Sequence, residues 1–312
     1  MEPDRIDDSV FYGKRTRGVR RVLATVLGLN LLVAGLKLYV GLAAGSTAMA
    51  AEGVQSLLDG LANVVGLIGI AAAARPPDED HPYGHERYET LASMAIAGLM
   101  TYGVIEILQS AWIRFREGGE PEVTALQFSI LGLTMAINAG VSYWEGRSAK
   151  QLNSDLLAAD AKHTGTDVIV SAGVICGLIA VSWGFAWADS AVSVVIAAVI
   201  ARTAWGILRD ASLVLTDSVG TDPRGLLRAI LMTPGVVTAH NLRARSAGGR
   251  LWVETHVTVD PSLQVKQAHT VATNVEERVR AVSGTGTHVI VHIEPAEFPH
   301  TRPDQLFGDV PT

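Results

Sequence analysis

Two short stretches place ionisable residues where the surrounding sequence is apolar. In AEGVQSLLDG, Glu52, Gln55 and Asp59 recur at intervals of three and four, and in DAKHTGTD so do Asp160, His163 and Asp167. Residues at those intervals share one face of an α-helix, so each stretch carries a polar stripe. The central positions, Gln55, Asp59, His163 and Asp167, supply two carboxylates, an imidazole and an amide oxygen. Four such donors suffice for a four-coordinate divalent ion. The outer members, Glu52 and Asp160, fit pathway positions on either side of that ion. The competing reading is interhelical hydrogen bonding among polar residues.

The elements that must hold these stripes are long and apolar. Six runs, 22–44, 48–74, 91–115, 124–144, 156–181 and 188–208, have roughly the twenty-residue length that a helix needs to cross the hydrocarbon core. The second and fifth carry the stripes. A rise of about 1.5 Å per residue puts Asp59 roughly 16 Å and His163 roughly 15 Å deep, near the midplane. Antiparallel helices then set Asp59 opposite His163 and Gln55 opposite Asp167. Ionisable groups at that depth are costly and mostly mark ion pathways. Lys37 and Glu106 read as packing, snorkelling or cavity residues. Lys14, Arg15, Arg17, Arg20 and Arg21 precede the first run, and Arg75, Arg87, Arg147 and Lys150 flank two further loops on that side. GLAAGST and SWGFAWAD on the other side have no Lys or Arg, and only Arg114 and Arg116 oppose the trend. Both termini are therefore expected in the cytoplasm.

The mean hydropathy of +0.28 averages this apolar part with an ordinary soluble composition after about residue 215. Asp222-Pro223 offers an N-cap and a first-turn proline for a helix through Met232. A strand near 237–244, a Gly248-Gly249 turn, a strand over 251–259, a helix over 265–282 and a strand over 287–294 follow. The expected organisation is an N-terminal segment 1–21, a six-helix transmembrane bundle 22–210, a cytoplasmic α+β ferredoxin-like (metallochaperone-like) domain 211–298 and a flexible tail 299–312. No cleavable leader is expected, because the first apolar run follows an Arg-rich lead and continues for a full span.

Histidines cluster outside the spans as well. PDEDHPYGHERYE holds Asp78, His81 and His85, which a turn at Pro82 and Gly84 could bring onto one ion. The second part holds His240, His256, His269 and His292, and Glu294 alternates onto the strand face of His292. A solvated polar loop and scattered surface histidines are the alternatives. His288 and His300 receive no role. The single Cys176 excludes an intramolecular disulfide and a cysteine-based zinc cluster within one chain. A net charge of −6 without a long basic run argues against a nucleic-acid partner.

These features resemble the cation diffusion facilitator family, especially its bacterial homodimeric zinc and iron efflux branch. The resemblance covers nearly the whole chain and rests on SLLDGLANVV, AKHTGTDVIVS, DHPYGHERYE, AHNLRAR, HVTVD, QAHTVA and VIVHIEP. It implies a transport site on Gln55, Asp59, His163 and Asp167. It also implies a loop site on Asp78, His81 and His85, and a binuclear site on His240, His256, His269, His292 and Glu294. A homodimer is implied, as is alternating access coupled to protons. The family usually has His or Asp where this chain has Gln55, and members with an amide there are often manganese carriers. Glu294 stands where aspartate is expected.

The function implied is export of Zn²⁺, Fe²⁺ or Mn²⁺ from the cytoplasm across the inner membrane by proton antiport. Metal is then expected as both substrate and regulatory ligand, and no other cofactor is expected. A metal-gated channel and an intramembrane metal-dependent hydrolase are the alternatives. The hydrolase is disfavoured because no H-E-x-x-H occurs and neither stripe offers a nucleophile with its base.

Overall fold

A computed structural model of the chain describes residues 8–43, 47–117, 125–183, 188–284 and 286–308. The chain divides into two compact units, Tyr12–Ser212 and a second built mainly from Leu213–Thr312. Helices α1 (Asp8–Ala43), α2 (Thr47–Ala73), α3 (Arg87–Glu117), α4 (Ala125–Leu152), α5 (Asp155–Ser182) and α6 (Ala188–Leu215) run through the first. Among the described residues, α1, α3 and α6 hold stretches long and apolar enough to cross a bilayer: Gly13–Val40, Arg87–Ile113 and Ser190–Leu215. The apolar stretch of α2 is the shorter Asp59–Ala73. Helices α4 and α5 are long enough but carry Glu145 and Asp160, both fully buried, so part of their polarity points into protein.

Helices α1 to α5 share a core of Val19, Leu23, Val26, Ile70, Ile96, Leu156 and Leu157, and a second cluster joins α3, α5 and α6 through Met100, Ile196, Ile200 and Ile207. Where α2 crosses α3, a Cβ on Gly69 would collide with Ala92 and crowd the Tyr88 carbonyl, so only glycine permits that approach. Leu32, Ile68, Val195 and Trp205 stand outward and exposed, as lipid-facing side chains do. Arg15 ties three elements at one end of the unit. Its guanidinium donates to the Leu152 and Asn153 carbonyls at 3.0 and 2.9 Å and pairs with buried Glu89 at 2.9 Å. Asn153 takes φ +47° in the α4–α5 turn, a conformation that asparagine tolerates better than most residues.

The second unit runs α7 (Pro223–Leu231), β1 (Thr238–Ala247), β2 (Arg250–Val259), α8 (Val265–Ser283) and β3 (Thr287–Pro295). Asp222 caps α7 by accepting from the Arg224 N–H at 3.1 Å. Gly248 and Gly249, both at positive φ, make the two-residue hairpin turn between β1 and β2. Strand β2 is central, antiparallel to β1 and parallel to β3, with α8 as the crossover that a parallel pair needs. Among the described residues this small mixed sheet has three strands, one fewer than the β-α-β-β-α-β ferredoxin-like pattern. Leu226, Leu227 and Ile230 of α7 and Val275 and Val279 of α8 pack on Val253, Val257 and Val289, filling one face of the sheet.

The residues after β3 differ from the loose end that their composition suggests. The Ala296 N–H donates to the Val259 carbonyl at 2.8 Å, and the chain then reaches β1, where Asp304 is buried. There the β1–β2 register slips between His240 and Arg243, with Asn241 at φ +52°. Asp304 accepts from the Leu242 N–H at 3.0 Å and from the Leu306 and Phe307 N–H groups at 2.8 and 2.9 Å. A bulge frees a backbone donor, and the carboxylate satisfies it. The last four residues, 309–312, lie outside the described residues.

Candidate metal sites

Asp59 from α2 and His163 and Asp167 from α5 open into one cavity of about 640 Å³. Asn30, Lys37, Ser56, Glu106 and Asn138 also line it. Lys37 donates to the Ser56 hydroxyl at 3.1 Å. The side chains of Glu52 and Gln55 lie outside the described residues, so their part in this cavity stays an expectation. Asp59, His163 and Asp167 are not among the groups whose ligand atoms all lie within 4.8 Å of one another. They face a shared space wide enough for a hydrated ion, and a bare ion would need the helices to close.

Asp160, expected at a pathway position, sits within the helix packing. It is fully buried and absent from the cavity wall. Asn63 donates to it at 2.6 Å, and Asn30 of the cavity wall donates to Asn63 at 2.8 Å. On its other side stands Glu145 of α4, also fully buried, which accepts from the Thr164 hydroxyl at 3.1 Å. One oxygen of each carboxyl, Asp160 Oδ1 and Glu145 Oε1, has no hydrogen-bond partner. Sequence reasoning missed Glu145 because it stands alone in YWEGRS beside Arg147, where it reads as a loop-side charge. Its spacing carries no stripe.

Asp78, His81 and His85 meet in a turn rather than on a helix. The His81 N–H donates to Asp78 Oδ1 at 2.7 Å, and Gly84, at φ +90°, reverses the chain toward α3. His81 Nδ1 and His85 Nε2 then lie 3.1 and 3.3 Å from the two oxygens of Asp78. His85 is buried and its Nδ1 has no hydrogen-bond partner. The backbone bond from His81, the largest influence, holds the Asp78 carboxyl below its usual range, and both imidazoles reinforce it.

In the second unit, register makes a row: His240, His256 and His292 are direct neighbours across β1, β2 and β3. They point away from the face that α7 and α8 cover. Glu294, two residues beyond His292, turns onto the same side. His240 Nε2 and His256 Nδ1 lie 3.2 and 2.9 Å from its carboxylate, and the exposed His292 lies at 3.7 Å. His300, given no role by the sequence, lies at 3.2 Å. His269 stands apart, exposed on α8, because that helix buries Val271, Ala272, Val275 and Val279 instead. Burial pushes the Glu294 carboxyl up, but the hydrogen bond with His256 and the imidazoles of His240, His256 and His300 hold it below its usual range. Burial lowers His240, and Glu294 only partly opposes that. Both shifts favour metal-binding forms, a carboxylate and a neutral imidazole, at neutral pH.

Long apolar helices around an acid- and imidazole-lined cavity, followed by a small mixed sheet bearing a histidine row, define a membrane transporter for cations. Residues 23–216 match the cation efflux transmembrane domain, and residues 224–296 match the cytoplasmic domain of cation efflux proteins. The chain therefore belongs to the cation efflux, or cation diffusion facilitator, family. It is 33% identical to the transporter YdbO of Bacillus subtilis, over 86% of this chain and 92% of that one. It is 31% identical to the manganese efflux system protein MneS of the same organism, over 92% and 98%. It is 29% identical to the cation-efflux pump FieF of Shewanella oneidensis, over 85% and 90%. Membership makes the protein a transporter and not an enzyme, which removes the hydrolase alternative.

Proposed function

We propose that the protein exports a divalent transition metal from the cytoplasm in exchange for protons, with Asp59, His163, Asp167 and Gln55 as the transport site. The observation that carries this reading is the single cavity into which Asp59, His163 and Asp167 open from two helices. Metal and protons compete for such ligands, because each must be deprotonated to hold the ion. His163 supplies the imidazole of the set, the side-chain type that most often trades a metal for a proton. Rocking of the six helices, all read as spans, would expose the cavity alternately to the two sides. The basic residues near α1 and in the loops after α2 and α4 support cytoplasmic termini and insertion in the cytoplasmic membrane.

The cavity donors are mostly oxygens, which suit Mn²⁺ and Fe²⁺, whereas the imidazole-rich second unit suits Zn²⁺. The likeness to a protein named for manganese efflux points the same way for the cargo. The second unit, read as a cytoplasmic ferredoxin-like regulatory and dimerisation domain, would bind metal at the histidine row and bring two copies together. The exposed His269 on α8 would serve such a site from a second copy. Uptake into proteoliposomes with zinc, iron and manganese competing, repeated with Gln55→His, tests the assignment. A swing toward zinc gives Gln55 a direct role in selectivity, and unchanged preference removes it from the ligand set. A metal-gated channel would move metal only down its gradient, so uphill movement driven by a pH difference separates the two readings.

A further inference from the structure

We infer that His300 is a fourth ligand of the histidine-row site, so that the segment 296–308 is a strap that metal locks across the open face of the sheet. The inference rests on reading that row as a metal site. Glu294 Oε2 has two ring nitrogens at 3.2 Å, His240 Nε2 and His300 Nδ1, yet it accepts a hydrogen bond from neither and is buried without a partner. Ring nitrogens that approach a carboxylate oxygen this closely, but off the line of a hydrogen bond, are arranged to converge on a third body. In a tetrahedron with metal bonds of about 2.0–2.1 Å, neighbouring ligand atoms stand about 3.3 Å apart. The two 3.2 Å separations are of that size, while His256 Nδ1 hydrogen-bonds the other carboxylate oxygen, Oε1, at 2.9 Å.

His240, His256 and Glu294 already hold ligand atoms within 4.8 Å of one another, and His300, which stands against Glu294, would close them into a set of three imidazoles and one carboxylate within one chain, of the kind that zinc favours. His292, whose ring centroid lies 4.6 Å from that of His256, is left at the edge, where it could help hold a second ion. The strap is already aimed. The His300 N–H donates to the Glu297 carbonyl at 2.8 Å, and Asp304 fastens the far end to the bulge in β1. Asp304 is thus a positioning residue. It touches no ligand atom, and its loss loosens the segment that carries one.

The test uses the full-length protein in detergent, carrying Asp59→Ala and His81→Ala so that the transport and loop sites do not contribute. Co²⁺ is the probe, read by its visible absorption. His300→Ala should weaken Co²⁺ binding on the order of 10- to 100-fold and shift the band, and Asp304→Ala should weaken it less. Hydrogen exchange across 296–308 should slow on adding Co²⁺ in the parent and not in His300→Ala, while the metal-free exchange of that variant reports whether it still folds. An unchanged band and affinity in His300→Ala overturns the inference, as does a band shift in His269→Ala instead, which would place the fourth ligand on a second copy. Loss of the band in His256→Ala upholds the underlying metal site in either case, and its persistence there would remove that site altogether.

Discussion

At the scale of single residues, the two regions ask opposite things of their ligands. Asp59, His163 and Asp167 line a space and stay apart, as a site that must release its ion requires, whereas Glu294 already has imidazoles around it. Replacing Asp59 or Asp167 with alanine should lower metal-driven transport on the order of 100-fold or more, since it removes a ligand outright. Vesicle uptake at matched protein content measures this, and near-normal rates would return the stripe to a packing role. The second unit should show its own pH dependence. His240 and Glu294 both have lowered pKa values, so both stay mostly deprotonated between pH 8 and 7. Their contribution to metal affinity should be flat there and should fall below His240's ordinary 6.5, as that imidazole begins to protonate. Glu294 follows only at still lower pH. Zinc titration calorimetry across pH 5 to 8 with His240→Ala as the comparison tests the order, and a parent curve that falls between pH 8 and 7 by a His240-dependent amount would contradict it.

At the scale of elements, the bundle is fastened by polar side chains outside the proposed set of metal ligands. Arg15 joins the start of α1 to α3 and to the α4–α5 turn while itself buried. Arg15→Ala leaves the Glu89 carboxylate buried without its counter-charge and should cost about 3–5 kcal/mol. Unfolding in detergent would read that loss, and a change under about 1 kcal/mol would mean that water replaces the guanidinium. Asn63 bridges the cavity-wall Asn30 to Asp160, so Asn63→Leu strips a donor from a buried carboxyl and should destabilise by about 1–3 kcal/mol. Transport by that variant decides whether the Asn30–Asn63–Asp160 chain also serves proton movement. In that case coupling falls further than the folded fraction does.

At the scale of the whole molecule, the composition shift near residue 215 marks a change of solvent, from lipid to water. The unit boundary at Leu213 falls beside it. If the second unit senses metal, occupying its site should raise transport at low cytoplasmic metal. Double replacement His240→Ala with His256→Ala should then shift the metal dependence of transport to higher concentration without lowering its maximum. An unchanged curve would leave the unit a purely structural dimerisation module.

The sequence by itself determined the stripes, the order of the elements and the loop cluster, because each is local: a helix face, a capped start or a tight turn depends on residues within a few positions of one another. It also placed Asp59, His163 and Asp167 toward one another, since antiparallel helices in a slab of fixed thickness leave little freedom of depth. Only the tertiary structure decided that Asp160 is buried between Asn63 and Glu145, away from the cavity wall, and that His300 stands against Glu294 while His269 lies exposed on α8. Those outcomes depend on which way a helix is turned about its axis and on where a chain end crosses a sheet. Packing between residues far apart in sequence sets both, and no local pattern records it.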